Sequence, residues 1–120
     1  MRIEGTGIEE TKAELARLDE VMNDFGLIRA GQWDYERVTY DRKYEIKGEI
    51  FYLRVQGYAV DGDIGKDEAL IQLMTPLLGK HYYPHGVEYG ETEHFPEAVT
   101  HSSAEVLKQL KNQLDQLQEV

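Results

Sequence analysis

Four groups of residues have the types and spacings that could do chemistry. His81 and His85 stand four apart, a spacing that on a helix brings both imidazoles to one side and invites zinc. Pro84 and the flanking glycines Gly79, Gly86 and Gly90 oppose a helix there. On an extended strand the two rings would be roughly 13 Å apart, so only a turn could bring them to one ion. Glu88, Glu91, Glu93, His94 and His101 follow closely and could complete such a site; the plainer reading is surface or hydrogen-bonded histidines. Asp61, Asp63, Asp67 and Glu68 form the second group, a set of carboxylates that could offer oxygens to calcium or magnesium. Against the EF-hand pattern, Gly65 stands where the fifth-position ligand belongs, Lys66 where the sharp-turn glycine belongs and Gln72 where the bidentate glutamate belongs. A solvated turn describes that stretch better.

Tyr52, Arg54, Gln56 and Tyr58 are the third group. They alternate along one face of a strand, and tyrosines with an arginine are what an interface uses, because both bury area while satisfying polar tips. The structural alternative is that Arg54 pairs with Asp41 on a wet face. Arg42 stands by itself as the fourth group: it falls among apolar neighbours, so its charge needs a partner, a place at the sheet rim or a ligand carboxylate. Nucleophilic catalysis finds little support, since the serines are Ser102 and Ser103, both read as a helix cap, and no Gly-x-Ser-x-Gly elbow exists. Neither a P-loop nor a Gly-x-Gly-x-x-Gly stretch occurs. No catalytic residue and no cofactor is therefore assigned. The competing class is a small-ligand or metal-binding protein, or an enzyme, with a pocket near His81, His85, Arg42 and Tyr83.

Positioning these groups falls to a sheet organised around residues 49–63, which read as its central strand. Residues 37–46 alternate cleanly, with Val38, Tyr40, Arg42, Tyr44 and Ile46 on one face. A turn of two or four residues around Lys47 and Gly48 pairs Ile46 with Glu49, Tyr44 with Phe51, Arg42 with Leu53 and Tyr40 with Val55. The same register sets Asp41 across from Arg54, Lys43 from Tyr52 and Thr39 from Gln56. Apolar residues meet apolar ones and an acid meets a base, so two separate patterns specify one register.

Around this hairpin the spacing predicts a short strand at Ile3, then a capping box of Thr6 with Glu9. That box opens a helix of roughly four to five turns carrying Leu15, Leu18, Met22 and Phe25 and ending at Gly26. Residues 27–34 read as a strand that bends near Gly31, with Trp33 as a core or hinge anchor. Residues 69–74 read as a strand covered on both sides, closed by Pro76. Residues 79–90 read as an extended segment turning at Pro84 to Gly86, and residues 91–100 as a loop. Ser102 with Glu105 repeats the capping box before Leu107, Leu110, Leu114 and Leu117, a stripe too short for a free-standing zipper and better docked on the sheet. The expected fold is α+β, a largely antiparallel five- to six-stranded sheet with the N- and C-terminal helices packed on one face, in a single domain over residues 1–120.

Composition narrows the partners. Hydrophobic residues make up 41% of the 120, enough for one core, and there is no cysteine for a disulfide or thiolate site. The formal net charge of -10 disfavours nucleic acid and anionic lipid. The first residues lack a secretory signal pattern, and no apolar run approaches the roughly 18 residues that span a bilayer. The expectation is a non-enzymatic cytoplasmic protein that self-associates, for instance as a homodimer, or binds a protein partner through the Tyr52, Arg54, Gln56 and Tyr58 face.

Taken together, Gly31-Gln32-Trp33-Asp34-Tyr35, the Tyr52-Leu53-Arg54-Val55 strand, Asp61-Gly62-Asp63, Thr75-Pro76 and His81-x-Tyr83-x-x-Gly86 resemble the YugN-like family. The likeness runs from about residue 8 to the last helix and rests on order and overall pattern. It implies a small cytoplasmic α+β protein of spore-forming bacteria and their relatives, and it brings no catalytic residues with it.

Overall fold

The computed structural model describes residues 1–31, 34, 36–65, 68–84, 86–91 and 93–118. Its organising element is the hairpin of β3, Arg37–Ile46, and β4, Glu49–Asp61. Ile46 faces Glu49, Tyr44 faces Phe51, Asp41 faces Arg54 and Thr39 faces Gln56, the register that the two sequence patterns specify. Lys47 and Gly48 form the two-residue turn with φ of 51° and 82°. Positive φ at both positions is the twist a tight hairpin requires, and glycine adopts it without strain.

β4 is the centre of the sheet. β3 lines one side of it, while β5, Leu70–Leu73, and β6, Leu77–Tyr82, share the other side end to end. β1, Lys12–Glu14, adds beyond β5, and β2, Ile28–Arg29, adds beyond β3. β7, Gly86–Glu88, pairs back on β6. All these pairings are antiparallel. Gly57, buried in β4, lets β5 come close: a Cβ there would lie 2.5 Å from the Ile71 side chain and 3.1 Å from the Gln72 carbonyl.

Both helices cover one face, called the inner face below. α1, Leu15–Asp24, brings Leu15, Leu18 and Met22, and α2, Glu97–Gln118, brings Val99, Leu107, Leu110 and Leu114. They meet Val38, Tyr40, Phe51, Leu53, Val55 and Leu78 in one core. Each such side chain, fully buried, stabilises the fold by about 1.5–3 kcal/mol relative to exposure. Among the described residues no helix is long and apolar enough to cross a membrane.

Local sequence signals were redirected in four places. Thr6 and Glu9 do interact, at 3.2 Å, but they close a one-turn 3-10 helix, Ile8–Glu10, and not the long helix expected. The chain next extends so that Lys12 to Glu14 pair with Gln72 to Leu70, and α1 begins only at Leu15. Gly26, at φ 72°, ends it as anticipated. Of the strand expected over residues 27–34, the described residues form strand at Ile28–Arg29, extended by one hydrogen bond from Ala30 N–H to the Thr39 carbonyl; Gln32 and Trp33 lie outside the described residues. α2 starts at Glu97, five residues before the expected cap, so Ser102 and Ser103 stand inside the helix. Ser102 Oγ lies 3.0 Å from the Tyr44 hydroxyl and Ser103 is buried, so both face the sheet and neither caps. Finally, β5 is covered on one face only: Ile71 and Leu73 are buried, Leu70 and Gln72 half-buried.

Candidate functional site

The strand period of two sends Tyr52, Arg54, Gln56 and Tyr58 to the outer face, away from the helices. Directly across, β3 presents Lys43, Asp41, Thr39 and Arg37. On the other flank β6 sets Gly79 beside Tyr52 and Leu77 beside Arg54, and β5 sets Gln72 beside Tyr58. The predicted group of four is therefore brought together on one surface.

Its polar centre is closed on itself. Arg54 donates from Nε to Asp41 Oδ1 at 2.8 Å and from Nη2 to Asp41 Oδ2 at 3.0 Å, a two-pronged ion pair. The hydrogen bond to Asp41 holds the guanidinium above its ordinary pKa, outweighing partial burial. Tyr89 lies over it, with the Arg54 guanidinium 5.0 Å from the ring centroid. Room for that ring comes from Gly79, where a Cβ would stand 2.5 Å from Tyr89 Cε1. Burial, opposed by Arg54 and helped by Asp41, pushes the Tyr89 phenol up to about 12, and its hydroxyl has no partner among the described residues. Gln56 Nε2 reaches Thr39 Oγ1 at 3.4 Å, a weak link. Sequence reasoning did not find Gly79 or Tyr89, because their contact exists only once β6 and β7 fold back on each other.

Further along, the outer face opens. Tyr58 is 42% exposed and Ile28, across from Asp41, is 56% exposed. A shallow groove of about 570 Å³ runs past Gln56, Tyr58, Gln72, Met74 and Leu77, with Arg2, Glu9 and Glu10 at its rim. Gln72 Nε2 donates to the carbonyls of Glu9 at 2.7 Å and Leu73 at 3.0 Å, strapping the 3-10 helix to β5.

Arg42 is elsewhere. On the inner face its Nη1 donates to the Phe25 carbonyl at 2.6 Å, and its guanidinium lies 5.3 Å from the Tyr44 ring centroid. The partner its charge demands is thus the C-terminal end of α1, where a cation complements the helix dipole. His81 sits in β6, half-buried, opposite Val87; His85 lies outside the described residues. Among the described residues no three His, Asp or Glu side chains form a metal-holding group. In the acidic turn, the Gly65 N–H donates to Asp63 Oδ1 at 3.0 Å, the bond of a simple polar turn.

The inner face carries a second polar cluster that the sequence did not announce. Tyr40 donates its hydroxyl to Asp19 on α1, and Arg29 Nη1 donates to the same carboxylate at 3.1 Å. Burial first, and the bond to Asp19 second, raise the Tyr40 pKa well above its ordinary value.

These features define a small α+β protein with one sheet face covered by helices and the other open and rich in tyrosine. The chain belongs to the YugN-like family, whose model matches residues 4–119. It is 58% identical over 113 residues to "Uncharacterized protein YlbA" of Bacillus subtilis (strain 168), covering 94% of each. It is also 28% identical to "Uncharacterized protein YugN" of the same organism over 64 residues, 53% of this chain and 48% of that protein. Among solved structures, "uncharacterized conserved protein YugN from Geobacillus kaustophilus HTA426" superposes with a TM-score of 0.88 at 51% identity, covering 100% of this chain and 99% of the other.

Proposed function

We propose that this chain is a non-enzymatic cytoplasmic binding protein whose working surface is the outer face of the sheet, occupied by a protein partner or by a second copy. The observation that carries the reading is the asymmetry of the sheet: both helices lie on the inner face, which leaves Tyr52, Gln56 and Tyr58 open to contact. The polar groups there favour contact over chemistry, since Arg54 and Asp41 satisfy each other and lie under Tyr89. What remains is partly exposed aromatic area beside a groove lined by Met74 and Leu77 together with Gln56 and Gln72, a mixture of apolar and polar groups that an interface uses. No observation favours the histidine-centred pocket, for the groove is not lined by His81.

The test is site-specific photo-crosslinking in cells. A photoreactive phenylalanine replaces Tyr58 on the outer face in one variant and Lys108, exposed on α2, in another. Discrete adducts from position 58 and none from position 108 are expected. Equal adduct patterns from both positions, or none from position 58, would remove the outer face as the working surface.

A further inference from the structure

We propose that the free edge of β3 pairs with the same edge of a second copy of this chain, centred on Tyr44. β4 pairs with β3 along its whole length, but on the opposite side β2 reaches only Asp41 and Tyr40. Beyond that, from residue 42 to residue 46, no described residue pairs with β3 on this side. Alternate residues of an antiparallel strand direct their N–H and C=O groups to opposite neighbours. The Thr39 carbonyl accepts from Ala30 N–H on the β2 side, so Lys43 and Glu45, four and six residues further along, face that side as well. Their backbone groups have no partner there among the described residues. Both side chains are exposed on the outer face, and neither joins an ion pair among the described residues.

Charge selects the occupant and the register. With a two-fold axis at Tyr44, Lys43 of each copy stands opposite Glu45 of the other, and both positions direct backbone groups across the junction. That geometry supplies about four backbone hydrogen bonds and two opposite-charge pairs in one isologous contact. Moving the axis to Lys43 sets lysine against lysine, and moving it to Glu45 sets glutamate against glutamate, arrangements that like charges oppose. An edge lysine usually guards against pairing. Here the glutamate two residues on converts the guard into a key for its own copy. The contact is short, well below the roughly 1,200–2,000 Å² of a stable complex, so the dimer is weak and dependent on concentration. It leaves Arg54, Gln56 and Tyr58 uncovered and is therefore separate from the outer-face reading.

Light scattering on the full chain, from about 10 μM to about 1 mM, reads the dimer directly. Lys43→Glu sets glutamate opposite glutamate at both pairs and is expected to weaken dimerisation about tenfold or more; Glu45→Lys does the same with lysines. The double variant Lys43→Glu/Glu45→Lys restores opposite charges and is expected to dimerise like the wild type. Both positions are solvent-exposed, and thermal melts verify that each variant is folded. A wild type that stays monomeric to the highest concentration overturns the proposal, as do single variants that match it. A double variant no better than the singles overturns it too. Dimerisation lost in Tyr52→Ala/Tyr58→Ala and kept in Lys43→Glu would assign self-association to the outer face instead.

Discussion

Replacing Gly79 by alanine tests the outer face at its tightest point. The added Cβ would lie 2.5 and 2.6 Å from two carbons of the Tyr89 ring and 2.7 Å from Val87 Cγ1. Carbon atoms prefer about 3.5–4.0 Å, so the ring must retreat by about 1 Å or more. Overpacking of this kind costs about 1–3 kcal/mol, and disturbing the contact with Arg54 adds about 0.5–1 kcal/mol. Gly79 is not in the left-handed region, so alanine also restrains the unfolded chain and returns about 0.4–1 kcal/mol. The net expectation is a loss of about 2 kcal/mol, or about 6–10 °C in melting temperature for a domain of this size. Thermal unfolding followed by circular dichroism measures it. The decisive comparison is the same substitution in a Tyr89→Ala background, where the ring is gone and Val87 can turn aside. There Gly79→Ala is expected to be close to neutral. If it costs as much without the ring as with it, the seat of Tyr89 on Gly79 is not what excludes a side chain.

Three further outcomes follow from particular contacts. Arg42→Met removes the cation that donates to the Phe25 carbonyl at the end of α1, and urea unfolding should show a loss of about 1–2 kcal/mol; an unchanged midpoint would remove its capping role. Ser103→Ala should raise stability by about 1 kcal/mol, because its buried hydroxyl lacks a partner among the described residues and alanine favours the helix; a lowered melting temperature refutes this. Tyr89, whose neutral form is favoured by burial, contributes stability that is fully present below its ordinary value of 10.0 and is lost as pH rises toward about 12. Ultraviolet titration should therefore show late-ionising tyrosine, Tyr40 included, and Tyr89→Phe should flatten the loss of stability over that alkaline window.

What could be read from the chain alone follows the range of the forces involved. In β3 and β4 the side-chain period, the two-residue turn and the Asp41 to Arg54 pairing all act between neighbours across one hairpin, so their agreement needed no other part of the molecule. The apolar stripes Leu15, Leu18, Met22 and Leu107, Leu110, Leu114 likewise mark helices that must bury one side. Where the chain was misread, a distant strand had outbid a local signal. Thr6 and Glu9 form their local bond, yet pairing of Lys12 to Glu14 with β5 draws the backbone out of a helix. Ser102 has the chemistry of a cap, but the sheet offers it the Tyr44 hydroxyl and α2 begins earlier.

The sequence by itself determined the α+β class, the hairpin register, the two helices and which residues share the outer face, because alternation and helical spacing are properties of the chain. Only the tertiary structure decided that Tyr89 covers Arg54, that Arg42 serves the end of α1, and that β2 pairs with β3 no further than Asp41 among the described residues. Each of those depends on contacts between segments whose separation in the chain carries no periodic signal. Burial and backbone pairing in three dimensions select them.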